Sequence, residues 1–146
     1  MIIFGHNSLI SPLMQYIHKI VPNQEIVIVT DKFDSNPYDN IHYVQGDPKD
    51  EKTIFQTNVQ KAKMAIILAD DRVNNPDAYT LVVANEVEKI HKDIITIGEL
   101  TDARFKDLFK EANLDAFISE ESLIRGISHD QEIGRIIKAS LQKESK

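Results

Sequence analysis

At 146 residues the chain is long enough for one domain with an independent core, and it contains no cysteine, which excludes disulfides, thiolate metal sites and cysteine nucleophiles. The 17 Lys and Arg against 23 Asp and Glu give a formal charge of −6, with no dense basic stripe, so nucleic acid is excluded as an expected partner. No apolar run approaches the ~20 residues of a membrane helix, and no basic region precedes an apolar stretch as in an export signal; the chain by itself is expected to be soluble and cytoplasmic.

The first apolar run, Ile2–Phe4, predicts a strand that leads straight into Gly5, His6, Asn7, Ser8, Leu9 and Ile10. Met1 stands at the very start of that strand, which reads as one domain, 1–146, excised from a longer protein. A strand followed by such a turn is where a dinucleotide-binding fold keeps G-x-G-x-x-G. Here only Gly5 is present; Asn7 puts a side chain where backbone should approach a pyrophosphate, and Ile10 fills the slot for close helix–sheet packing. Gly5, His6, Asn7 and Ser8 therefore form the candidate ligand loop, with a purely structural turn as the alternative.

A helix comes next, carrying Ile10, Leu13, Met14, Ile17, Ile20 and Val21 at helical spacing and stopped by Pro22-Asn23. Its start is ambiguous. Capping by Ser8 places Pro12 where an N–H should bond, whereas capping by Ser11 accepts Pro12 and lengthens the loop.

The second strand, Ile26–Thr30, ends at Asp31, about 20 residues beyond the glycine loop, the place of a carboxylate that binds a ribose hydroxyl. A plain loop aspartate is the other reading. Residues 34–40 are too short and polar for a long helix, and Asn36-Pro37 predicts a turn. After the third strand, His42–Gln45, comes Gly46-Asp47-Pro48; Asp47 reads as a helix N-cap with Pro48 in the first helical position, or as a group facing an adenine edge.

The fourth strand, Ala65–Ala69, runs into Asp70 and Asp71, and Asn75-Pro76 opens a helix ending near His91. The fifth, Ile94–Gly98, ends at Glu99. Asp70, Asp71 and Glu99 are therefore expected at one rim of the sheet, as a site for a hard cation such as Ca²⁺ or as solvated and capping carboxylates. Thr101-Asp102 opens a helix through Ala112 with Asn113 as a left-handed cap. The sixth strand is Ala116–Ile118. Gly126 interrupts the segment beyond that strand, and Ser128 with Gln131 offers a capping box for a terminal helix bearing Ile133, Ile136, Ile137 and Leu141, expected to project.

Most of these strands are β-branched and nearly continuous in apolarity, the mark of strands buried on both faces. Their alternation with helices predicts an α/β protein: a Rossmann-like, doubly wound parallel sheet of six strands, helices on both faces and a C-terminal crossover helix. Ligands of such sheets bind beyond the carboxyl ends of the strands. The chain has no G-x-S-x-G, no H-E-x-x-H and no P-loop, and His6, His18, His42, His91 and His129 show no ligand spacing, so no enzyme is expected.

Gly46-Asp47-Pro48 followed by Ile54, then Asn58-Val59 with Ala62 and Ala65-Ile66-Ile67, and finally Asp70-Asp71, resembles regulator of K⁺ conductance (RCK) domains, also called Trk-type N-terminal nucleotide-binding domains. The resemblance runs from Met1 to about Leu141. It implies a cytosolic regulatory, ligand-sensing and dimerising domain that controls gating of a potassium channel at the cytoplasmic face of the membrane. It further implies a homo-oligomer, a dimer or an octameric gating ring, with the channel pore as partner. Pairing would use residues 77–91 and 102–112, with the terminal helix crossing onto the partner. The implied ligand is a nucleotide or Ca²⁺. Gly5, Asp31 and Asp47 match nucleotide-contacting positions; Glu99 matches a calcium carboxylate, Asp70 matches approximately, and Thr101 stands where a second acidic residue is expected. Two other readings stand beside it: a small NAD(P)-dependent oxidoreductase or cofactor-binding fragment, for which six βα units leave no substrate portion, and a ligand-free assembly scaffold.

Overall fold

A computed structural model describes residues 1–112, 114–120 and 131–142. The strands are β1 (Ile2–Phe4), β2 (Val27–Thr30), β3 (His42–Gln45), β4 (Met64–Ile67), β5 (Ile95–Glu99) and β6 (Ala116–Ile118), all parallel and ordered β3-β2-β1-β4-β5-β6. This is the expected six-stranded doubly wound sheet, and its order is that of dinucleotide-binding folds. The register sets Ile3 beside Ile28 and Ile66, so one face of the sheet is a continuous apolar surface.

Alternation along each strand divides the core in two, because successive side chains point to opposite faces. On one face Ile3, Ile28, Ile66 and Ile97 meet Leu13 and Ile17 of α1 (Ile10–Ile20) and Ile137 of the last described helix, α5 (Gln131–Gln142). On the other, Phe4, Val29, Ala65 and Ile67 meet Ile54 of α2 (Glu51–Phe55) and Val83, Ala84 and Val87 of α3 (Pro76–Ile90). The expected projecting terminal helix is corrected: Ile137 is fully buried, and Gly134 lies so close to Tyr16 of α1 that a Cβ would come within 2.6 Å of its hydroxyl. Burying Ile137, with Ile136 packed beside it, outweighs leaving them in water, at roughly 25 cal/mol per Å².

Two helix starts differ from the sequence expectation. Asp50, not Asp47, caps α2, accepting from the Lys52 N–H at 3.1 Å. Asp47 instead closes the turn before it, its carboxylate accepting from Lys49 N–H and its carbonyl from Asp50 N–H. After β5, Asp102 opens a 3-10 turn (Ala103–Phe105) before the short α4 (Lys106–Glu111). Asn75 caps α3 as expected, through the Ala78 N–H. The expected cap at Asn113 and capping box at Ser128 lie outside the described residues.

Candidate functional site

The crossover from β1 to α1 lies on one side of the sheet and that from β4 to α3 on the other, so the carboxyl ends of β1 and β4 flank the topological switch point. Gly5 begins the loop there with φ +96°, its N–H donating to Val29 O at 2.7 Å. A Cβ on Gly5 would sit 2.9 Å from Leu68 O, so the surviving glycine serves both conformation and a close approach of two chain segments.

Asn7 does more than break the glycine fingerprint. Its Nδ2 donates to Ala69 O and to Glu99 Oε1, both at 2.8 Å, while its Oδ1 accepts from Leu9 N–H at 2.9 Å. The Asn7 carbonyl takes the Ile10 N–H as well. α1 starts at Ile10 with Leu9 in the N-cap position, no side-chain cap, and Ser8 exposed. Neither serine starts the helix. Pro12 falls at the third helical position, the last that needs no donor, and the first intrahelical bond is Leu13 N–H to Leu9 O. Two N–H groups that a phosphate would meet are thus satisfied internally, and Pro12 offers none.

Glu99 is the buried end of this brace. Its Oε1 also accepts from Ala69 N–H at 2.8 Å. Burial pushes its pKa up, against the downward pull of those two hydrogen bonds. A raised carboxyl pKa means stability fully present below the unfolded-state value and lost as pH rises through the folded one. Glu99→Gln keeps the acceptor oxygen and removes the buried charge, so it is expected to melt higher than the parent at pH 7–8, with the gap closing towards pH 4. Melting curves of both proteins across that range check this; a parent that gains on the variant as pH rises would contradict it.

Two charged straps tie the segments that follow β1, β2 and β4 to one another at the switch point. Arg72 reaches Asp31 Oδ1 at 2.6 Å and Asp70 Oδ2 at 2.9 Å, and its Nε reaches Asp70 Oδ1 at 2.9 Å. Lys32 bonds the His6 carbonyl and lies 3.4 Å from Asp71. Hydrogen bonds from Arg72 hold the Asp70 carboxyl below its ordinary range and raise the guanidinium further. His6 packs edge-on against Phe33, ring centroids 4.9 Å apart, and burial followed by the Lys32 charge lowers its pKa.

Asp47 accepts from the Tyr79 hydroxyl at 2.9 Å, and burial, then Asp47, drive that hydroxyl's pKa up. The carboxylates expected to converge on a cation therefore face different partners: Asp70 meets Arg72, Asp71 meets Lys32, and Glu99 meets Asn7 and Ala69. Among the described residues no group of three or more His, Cys, Asp or Glu is placed to hold a metal ion.

Sequence reasoning passed over Asp77. Buried in the first turn of α3, it accepts from Thr101 N–H (2.8 Å), Thr101 Oγ1 (3.0 Å) and Asp102 N–H (2.8 Å), fixing the loop after β5. Its signal was faint, since an acid after Asn75-Pro76 also suits the helix dipole. Arg72 was missed too, although Asp-x-Arg recurs at Asp102 and Arg104 with the same Asx-turn bond, Arg N–H to Asp Oδ1.

The TrkA-N domain family matches residues 1–120, a span that holds β1 to β6 and the loops after β1 to β5. The chain belongs to the TrkA-N domain family. The TrkA-N domain of inner membrane protein ybaL from Escherichia coli superposes with a TM-score of 0.70 at 13% identity, over 90% of this chain and 94% of that one. GsuK bound to ADP superposes with 0.67 at 18% identity, over 81% of this chain and 30% of that one; GsuK bound to NAD gives 0.64 at 20%, over 80% and 20%. The protein named as potassium channel protein YugO, from Bacillus subtilis (strain 168), is 23% identical over 126 residues, 84% of this chain and 38% of that one. This TrkA-N domain thus spans well under half the length of that relative. Among its described residues no helix is long and apolar enough to cross a membrane.

Proposed function

We propose that this TrkA-N domain is a cytosolic regulatory module of a potassium channel, binding a nucleotide at the carboxyl rim of its sheet and acting in a homo-oligomer. The observation that carries the reading is Asp31 at the end of β2, beside the switch point of a sheet ordered as in dinucleotide-binding folds. Relatives named as a potassium channel and as GsuK bound to ADP and to NAD support it. The role is regulatory and not catalytic: a ligand acts by binding one subunit arrangement better than another.

Assembly through α3 and α4 is supported by Val82 and Leu108, large apolar side chains each 48% exposed on those helices. Val82→Asp or Leu108→Asp is expected to shift the assembled species to monomer in gel filtration at matched concentration. A parent that elutes as monomer at high concentration would remove this part of the reading.

Thermal shift against AMP, ADP, ATP, NAD⁺, NADH, Ca²⁺ and Mg²⁺ tests the ligand. A ligand of the folded state adds about 2.7 kcal/mol at a hundredfold excess over Kd, and a nucleotide is expected to raise Tm accordingly. A shift from Ca²⁺ alone would replace the nucleotide with a cation. No shift from any would favour the scaffold reading, which the internally satisfied cleft already supports.

A further inference from the structure

The loop that should hold a phosphate is partly occupied from within. Leu9 and Ile10 donate to Asn7, Pro12 has no N–H, and Ser8 gives no cap. With two of its N–H donors engaged and a third position held by proline, the loop offers an anion fewer backbone donors than a glycine-rich turn, which puts weight on positive side chains nearby. At the switch point, the ends of β2 and β4 present Lys32 and Arg72.

These two cations are not equivalent. Lys32 is largely covered, its ammonium bound to the His6 carbonyl beneath it. Arg72 is 46% exposed at its side chain, and it is the group that occupies Asp31, the carboxylate placed to accept a ribose hydroxyl. Its two acidic partners are unequal as well: Asp70 lies two residues away and is held by two side-chain bonds and a backbone one, whereas Asp31 lies 41 residues away and is held by one. Breaking the single long-range bond frees Asp31 and leaves the guanidinium anchored to Asp70.

We propose that Arg72 is the specificity-determining residue of the cleft: it covers Asp31 when the cleft is empty, and turns to the phosphate of a nucleoside phosphate whose ribose takes Asp31. This rests on the nucleotide reading above. The exchange explains how one residue selects a two-part ligand. A nucleoside without phosphate must break the Arg72–Asp31 bond and returns nothing to the guanidinium. Inorganic phosphate meets Arg72 but leaves Asp31 without a donor. A nucleoside phosphate replaces both ends, giving Asp31 a hydroxyl and Arg72 a charge-assisted, geometrically matched acceptor.

Calorimetry with adenosine, AMP and inorganic phosphate on the parent, Arg72→Gln and Asp31→Asn tests it, with circular dichroism as the folding control. AMP is expected to bind the parent about tenfold or more tighter than adenosine, the size of one charge-assisted bond. In Arg72→Gln that preference should fall to within about threefold, with adenosine itself binding more tightly than to the parent because Asp31 is uncovered. In Asp31→Asn both ligands should weaken while AMP keeps its advantage. If both ligands bind Arg72→Gln with the parent's preference intact, or weaken in equal proportion, the role given to Arg72 is wrong and nucleotide binding stands. If neither ligand binds any of the three folded proteins, the nucleotide reading fails and this inference with it.

Discussion

Asp77→Ala is expected to lower stability by about 3 kcal/mol, because it strips the acceptor from two backbone N–H groups and one hydroxyl at a time. For a domain of this size that is a fall in Tm of roughly 10 °C. The damage reaches beyond the melting temperature, since those bonds hold Thr101 and Asp102 directly after Glu99, whose carboxylate braces the ligand loop. Asp77→Asn keeps an acceptor for Thr101 but sets an amide against the Asp102 N–H, so an intermediate loss is expected. Urea titrations of the three proteins, with unchanged slope, separate lost stability from a changed denatured state. A loss under about 0.5 kcal/mol for the alanine variant would show that water replaces the carboxylate at no cost.

Gly5→Ala is expected to lower stability by a similar amount, about 3 kcal/mol, from two sources. The left-handed φ of +96° strains any residue with a Cβ by about 1–3 kcal/mol. The added atom also meets the Leu68 carbonyl at 2.9 Å, and that neighbour is backbone at the end of a buried strand, which cannot rotate away. The clash pushes the β1 loop off the β4 end, so Asn7 should lose its bond to Ala69 O. Thermal melts give the first effect. Amide exchange at Leu9 and Ala69, protected by Asn7 and Glu99 respectively, gives the second. Unchanged protection at both with a normal Tm would show that the loop absorbs the methyl group.

Much of the architecture was legible because strand signals are local. Ile2–Phe4, His42–Gln45 and Ala116–Ile118 were bounded as found, and the other strands differ by one or two residues at their ends. Asn75-Pro76 worked as a cap because its signal is confined to one turn. Asp47-Pro48 failed as a cap for an equally local reason: a second aspartate three residues on takes the extended backbone that a cap requires, leaving Asp47 to the turn and to Tyr79. The terminal helix was misjudged because its apolar stripe shows that something is covered without showing what covers it.

The candidate site was legible in position and not in wiring. Gly5, His6, Asn7, Ser8, Asp31, Asp70 and Glu99 all lie in segments that follow the carboxyl ends of β1, β2, β4 and β5, or at those ends. Their partners could not be read, because partnership depends on strand order. Asn7 and Glu99 are 92 residues apart, and Asp31 and Arg72 are 41 apart.

By itself, then, the amino-acid sequence determined the alternation of buried strand and helix, the broken glycine turn and the rim on which acidic groups would gather, since each arises from side-chain pattern over a few residues. Only the tertiary structure decided that β2 and β4 flank β1, so that Arg72 covers Asp31, Lys32 meets Asp71 and Asn7 satisfies the helix it precedes. The physical reason is that a carboxylate or amide takes whichever donor the fold brings within hydrogen-bonding distance, and distance across a sheet is set by the neighbouring strand and not by the neighbouring residue.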